Sequence, residues 1–450
     1  MAKSDKAEPF APLPSINLHL KMLILAAPII ATQYSLVLMQ FIDAWMLGTI
    51  GSNELAAVTP AGLLIQVLVS FGAGFLTAVV TLVANALGRG EPLVCRSYGK
   101  QGVLIAAVGG TGCIALWPVA PSIFQAMGHS PAVMKFETVY FQVSLISVAP
   151  QLIAIAAANF FIGIQRTGVA MIGSICGMVA NVVCNYALIF GAFGFPKLGF
   201  VGAAWGTVAA SCLQAIIMLV LMVVWDRKQF CRDTSKLSWR PITTMGLPAA
   251  IQGAIDILSW GVVLTMLIGS FGTAHLAAAT ILIRCMQISF LPSDGLAAAL
   301  QTMVGESLGR KRAPEARNIT NIGLRLIVGY MVGMGVAFYF LRTHIMHFFS
   351  DDPAVVEVGI KAMVFVSFFQ LFDAFNVTFI NALHGAGDTL WPMLMNAFLS
   401  VAILWLGGSA VIHYQPHLAS YGVWLVASIY IFAQGACFYV RWHSQVLRHC

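Results

Sequence analysis

Apolar and polar positions along this chain fall into long blocks rather than a fine alternation. Apolar stretches occupy 22–47, 54–86, 100–120, 136–158, 168–193, 200–225, 244–268, 276–305, 320–341, 358–382, 391–412 and 421–441, separated by short polar segments. A helix rises ~1.5 Å per residue, so ~20 apolar residues cover the ~30 Å hydrocarbon layer of a bilayer. Barrel strands would need only ~10 residues with alternating polarity, and these blocks are longer and apolar on every face. The pattern predicts an all-α integral membrane protein of twelve transmembrane helices.

The polar segments orient the chain. Apart from Arg284 and Arg325 within spans, every Lys and Arg lies on the side of the N-terminus except Lys135, Lys197, Arg342 and Lys361. Basic segments stay in the cytoplasm, which predicts a multi-pass protein of the inner (plasma) membrane with both termini cytoplasmic. Residues 1–20 are polar, carry Pro9, Pro12 and Pro14, and have no apolar core, so no signal peptide is expected there.

The chain also repeats itself. Gly51, Leu55, Ala56, Ala57 and Thr59 recur as Gly272, Leu276, Ala277, Ala278 and Thr280; Leu87, Gly88, Arg89 and Arg96 recur as Leu308, Gly309, Arg310 and Arg317. Six spans fall in each copy. An even number gives both copies the same orientation, and hence two six-helix lobes related by a pseudo-twofold axis along the membrane normal. The expected division is a cytoplasmic tail at 1–20, an N-lobe at 21–225, a charged cytoplasmic linker at 226–243, a C-lobe at 244–442 and a tail at 443–450. Ala26-Ala27-Pro28 and Gly246-Leu247-Pro248 place a proline early in the lead helix of each lobe. Proline removes a backbone hydrogen bond and bends a helix, which makes Pro28 and Pro248 candidate hinges.

Composition agrees with this picture and narrows the function. Hydrophobic residues are 59% of the chain and charged residues 9%, a balance that excludes a water-soluble domain of this length. The net charge of +7 follows from the cytoplasmic loops, so a nucleic-acid partner is not indicated. Nine cysteines without C-x-x-C spacing indicate neither a disulfide framework nor a zinc site.

Four carboxylates stand well inside spans: Asp43, Asp256, Asp294 and Asp373. At ~2.5–3.5 kcal/mol each their insertion costs roughly 10 kcal/mol together, which packing alone does not require. Asn181 and Asn185 are spaced to share a helical face, and with the Thr207 hydroxyl they can surround Asp43. One carboxylate with amide and hydroxyl oxygens suits a hard cation such as Na+, or a carboxyl that exchanges a proton; the same asparagines can equally serve only to bond neighbouring helices. In the second half Gln252 lies one turn before Asp256, and counting helix rise puts Arg284 at a similar depth, so an Asp256–Arg284 ion pair is an expectation. Asp373 follows Phe369 and Phe372 in FQLFDAFN, while Asp294, after Pro292, reads as a cap on a local break.

Gly385-Ala386-Gly387-Asp388 matches the G-x-G-D pattern of intramembrane aspartyl proteases, but it precedes Trp391-Pro392 as a polar turn would. No metalloprotease, Walker or nucleophile-elbow motif occurs in a credible context, so the chain does not read as an enzyme.

The start around Pro28, FIDAWMLGTIGSNELAAV around Asp43, VGAAWGT before Val208, GLPAAIQGAID ending at Asp256 and FDAFN from Phe372 together resemble the multidrug and toxic compound extrusion (MATE) family, in its NorM-like branch. The resemblance implies a secondary antiporter that expels organic cations or amphipathic drugs in exchange for Na+ or H+, acts as a monomer in membrane lipid and needs no cofactor. It assigns the N-lobe ion site to Asp43, Asn181, Asn185 and Thr207, and the C-lobe pair to Asp256 and Asp373, with Gln252 and Arg284 nearby. Phe369 stands where some members carry an aromatic hydroxyl. A lipid-linked saccharide flippase shares this architecture but would line its cavity with cations, and Arg284 is the only basic residue deep in a span.

Overall fold

The computed structural model describes residues 17–49, 52–128, 131–225 and 238–448. Most of the expected tail at 1–20, most of the linker at 226–243 and the last two residues of the chain lie outside these, as does Gly51 of the first repeat motif. Twelve helices are long and apolar enough to cross a membrane. They are α1 (Leu18–Gly48), α2 (Pro60–Gly88), α3 (Pro92–Ala126), α4 (Val133–Gly163), α5 (Thr167–Phe190), α6 (Phe200–Trp225), α7 (Arg240–Gly269), α8 (Thr273–Gly309), α9 (Ala313–Phe349), α10 (Pro353–Gly385), α11 (Leu390–Tyr414) and α12 (Pro416–Ser444).

Each expected span is present, in order. Hydrocarbon offers the backbone no partner, so a spanning segment must bond to itself as a helix. Several helices outrun their apolar windows. Thus α9, expected at 320–341, runs from Ala313 to Phe349, because Glu315, Arg317 and Arg342 end the hydropathy signal without ending the helix. Helix ends carry ordinary signals: Asp352 Oδ1 accepts from the Ala354 amide at 2.9 Å ahead of Pro353, and Gly191 closes α5 at φ 75°.

The chain divides into two packed units. One contains Ala31–Ala250, with a core built around Val79, Val83, Phe141, Leu145 and Phe161. The other contains Ile251 to the C-terminus, with Leu264, Phe369, Trp424 and Tyr430 among its core residues. Asn17–Ile30 of α1 belongs to this second unit. The lead helix of each half therefore begins in one unit and ends in the other, changing over just after Pro28 in α1 and Pro248 in α7.

Close packing fixes those exchanges. A Cβ on Gly295 of α8 would collide with Ile30, and one on Gly246 of α7 would collide with the Phe75 carbonyl of α2. Lys21, at the start of α1, donates to Glu306 of α8 at 3.0 Å, and Arg310 bonds the same buried carboxylate.

Two helices widen beyond α geometry at facing places. Ser259–Val263 of α7 and Ser400–Trp405 of α11 each form a wide π turn, and the Ser259 and Ser400 hydroxyls hydrogen-bond at 2.5 Å. Such turns re-aim the side chains around them and cluster at functional places.

Candidate ion and substrate sites

In the first unit the carboxylate of Asp43, near the end of α1, meets the end of α5 and the start of α6. Asn185 Nδ2 donates to Asp43 Oδ1 at 2.8 Å and lies 3.1 Å from Asn181 Oδ1. An amide's two ends have nearly the same shape; turned with its nitrogen toward the acid, Asn181 donates to Asp43 Oδ1 at 2.9 Å and to Oδ2 at 3.3 Å. Turned the other way, Asn181 donates to Thr207 Oγ1 at 3.5 Å. The Thr207 hydroxyl donates to the Ala203 carbonyl at 3.0 Å, which leaves its lone pairs on the Asn181 side. Both asparagines are almost fully buried, and the Asn185 Oδ1 has no hydrogen-bond partner. That oxygen packs against Gly206, where a Cβ would occupy its place.

The four residues named from the sequence are thus together, and every group on Asp43 is neutral. Among the described residues none of Asp43, Asp256, Asp294 and Asp373 forms an ion pair. A carboxylate held only by amides keeps its charge available to a mobile cation.

The second unit holds a cavity of ≈ 170 Å³ lined by Asp256, Asp294 and Asp373, by Asn376 and Gln434, and by Trp260, Phe290 and Phe369. Asp256 Oδ1 accepts from Asn396 Nδ2 of α11 at 2.9 Å. The Asn396 oxygen in turn accepts from the Tyr430 hydroxyl at 2.7 Å and from Gln434 Nε2 of α12. Asp373 Oδ1 accepts from Asn376 Nδ2 at 3.3 Å. The rings of Trp260 and Phe369 meet edge to face with centroids 5.3 Å apart, giving the cavity an aromatic wall.

Three expectations change here. The Asp256–Arg284 ion pair does not form: Arg284 sits on the exposed side of α8 and donates to Gln287 at 3.2 Å, while Leu282, Cys285 and Met286 take the buried side. Counting helix rise carries no information about the side of the helix on which a residue lies. Gln252, expected beside Asp256, is buried and bonds to His384 Nε2 at 3.2 Å rather than lining the cavity. Asp294, read as a cap, instead lines the cavity with no described hydrogen bond or ion pair. Asp388 accepts from Arg441 Nε at 2.8 Å in the turn after α10, so the G-x-G-D segment does not face Asp373.

Asn376, Asn396, Tyr430 and Gln434 were not anticipated. Each is a polar residue in an apolar span, and the spacing of Asn376 three residues after Asp373 and of Tyr430 four before Gln434 was the available signal. Among the described residues no three His, Cys, Asp or Glu side chains converge to hold a metal ion.

Comparison with known proteins identifies the family. The chain is 28% identical over 389 residues to the multidrug resistance protein PmpM of Pseudomonas aeruginosa, covering 84% of this chain and 80% of that one. It is 28% identical to the probable multidrug resistance protein NorM of Rhizobium meliloti, covering 83% and 82%. A crystal structure of MATE in complex with MaL6 superposes with a TM-score of 0.88 at 16% identity over 99% of both chains, which shows a shared fold. The MatE family model matches residues 28–187 and again 248–406, once in each half and each time from the lead-helix proline. The sequence repeat, the twelve spans and this double match agree: the chain is a multi-pass membrane protein that belongs to the MatE family.

Proposed function

We propose that this protein is a secondary antiporter, not an enzyme, that exports organic cations or amphipathic drugs in exchange for Na+ or H+. The observation that carries the reading is the Asp43 carboxylate, held within a span by the amides of Asn185 and Asn181 and by no cation. A small cation arriving there neutralises the acid without breaking an existing ion pair. In the second unit the three carboxylates and the aromatic wall suit a positively charged, flat or amphipathic substrate, through charge attraction and cation–π contact. Binding at either place changes the energy of a conformation only if the ligand prefers one state, so ion and substrate favour opposite states and compete. Pro28 and Pro248, one turn or less before the lead helices change unit, are the proposed hinges.

A saccharide flippase needs cations in the cavity to hold pyrophosphate. This cavity is acidic, which favours the drug antiporter.

Asp43→Asn keeps the shape and the hydrogen bonds of the site but removes its charge. It is expected to abolish ion-driven dye efflux in everted vesicles while leaving membrane insertion intact; normal coupled efflux from that variant removes the proposal.

A further inference from the structure

On the side of the α10–α12 seam away from the carboxylate cavity lies an apolar groove of ≈ 370 Å³. Phe372 and Phe375 of α10 and Phe432, Gly435, Ala436 and Tyr439 of α12 form it. Its floor is deep because the two helices touch at Gly435, where a Cβ would stand 3.2 Å from the Asn376 amide nitrogen and 3.3 Å from Phe375 Cβ. Its walls are rings: Phe372 and Phe432 meet edge to face at 5.3 Å, and Phe432 and Tyr439 remain 56% and 45% exposed. The volume lies within the ~300–1,000 Å³ of cavities that hold one small molecule. The convex face of a spanning helix meets hydrocarbon in bulk; a slot of this size holds a single chain.

The groove has a direction and a polar end. Tyr439 is the last residue of its lining on α12, and one turn beyond it stands His443, whose ring lies 4.2 Å from the Tyr439 ring, with Phe379 touching both. The lining on α12 runs from Phe432 to Tyr439, a rise of ~10 Å, and with the turn to His443 this face rises ~16 Å, about half of the ~30 Å hydrocarbon thickness. Tyr and His are residues suited to the boundary between hydrocarbon and headgroups. His443 Nδ1 donates to the Tyr439 carbonyl at 3.0 Å, which leaves Nε2 for an outside partner. Arg441 nearby is already engaged by Asp388 and by the Trp391 ring.

We propose that this groove is a phospholipid site, with one acyl chain lying along the α10–α12 seam and the headgroup hydrogen-bonded to His443. An apolar slot with a polar ring just beyond one end, together covering about the depth of one leaflet, favours a phospholipid over a compact drug. The bound chain rests on the backs of the two helices that carry Asp373, Asn376 and Gln434, and so steadies the cavity wall from outside. The inference does not depend on the transport reading.

Native mass spectrometry tests it, on protein reconstituted into phosphatidylethanolamine and phosphatidylglycerol vesicles and then extracted into mild detergent. Wild type is expected to retain one phospholipid, and Ala436→Trp, whose indole fills the slot, to show roughly tenfold lower occupancy. His443→Ala is expected to weaken retention with the slot open. Leu425→Trp, on an exposed face of the same helix, should retain lipid as wild type does. Thermal unfolding in the same detergent reports whether Ala436→Trp is folded; if it is not, Phe432→Ala, which removes a wall, takes its place with the same expected loss. Equal retention by the groove variants and wild type, equal loss from Leu425→Trp, or detergent alone on the wild type overturns the proposal.

Discussion

At Asp43 the neighbouring groups are fixed as tightly as the acid itself. The Asn185 amide can reach Asp43 only while its oxygen lies over Gly206, where there is no side chain. Gly206→Ala should therefore push Asn185 off the carboxylate and lower dye efflux roughly tenfold with normal expression, whereas Gly168→Ala, in open space, should not. Asn396 plays the central part in the second unit, giving a hydrogen to Asp256 and accepting from Tyr430 and Gln434. Asn396→Leu takes the amide donor from Asp256 and the amide acceptor from Tyr430 and Gln434, leaving the Gln434–Tyr430 bond at 2.9 Å, and is expected to cost roughly 1–3 kcal/mol, read as a fall in thermal unfolding temperature in detergent. An unchanged unfolding temperature would show that the network contributes no stability. Sequence could point to Asn181 and Asn185 because their spacing aligns them on one face. It could not point to Asn396 with Tyr430, because nothing periodic links single polar residues on different helices. Arg284 shows the other side of this: height within a span follows from counting, whereas direction around the helix axis follows from packing.

Helices were legible because a bilayer turns hydrophobicity into length, and each span is where its apolar window lies. Their irregularities were not. Ser259–Val263 and Ser400–Trp405 widen without a proline, and nothing in their mostly apolar side chains distinguishes them from ordinary helix. The prolines were visible, but not that α1 and α7 pass from one unit to the other just beyond them. Proline inside a helix leaves a carbonyl without its usual partner and softens bending at that turn. Pro28→Ala restores that bond, and is expected to slow efflux roughly tenfold while dye affinity, measured by fluorescence, stays near wild type. Pro248→Ala should act in the same direction. Equal losses of affinity and rate would assign the prolines to substrate binding instead of movement.

For the whole molecule, duplication explains the scaffold and not the acids. Both halves match one family model, yet Asp43 stands with two asparagines in the first unit while three carboxylates share a cavity in the second. The two halves therefore cannot treat a cation in the same way. Proteoliposomes separate the roles: adding substrate is expected to release the coupling cation in wild type and not in Asp43→Asn. Proton release without sodium dependence assigns H+ as the coupling ion, and sodium-dependent efflux without proton release assigns Na+. Release that persists in Asp43→Asn moves the coupling site to the second unit.

The exchange of lead helices also sets where this polypeptide can be divided. A fragment stopping at residue 225 would lack Arg240–Ala250, which its own helices are built to enclose, and Phe75 would face an empty slot where Gly246 belongs. The complementary fragment would miss Asn17–Ile30 and leave Glu306 without Lys21. The ancestral copies have become mutual prostheses: neither is whole alone, and severing them costs each a limb.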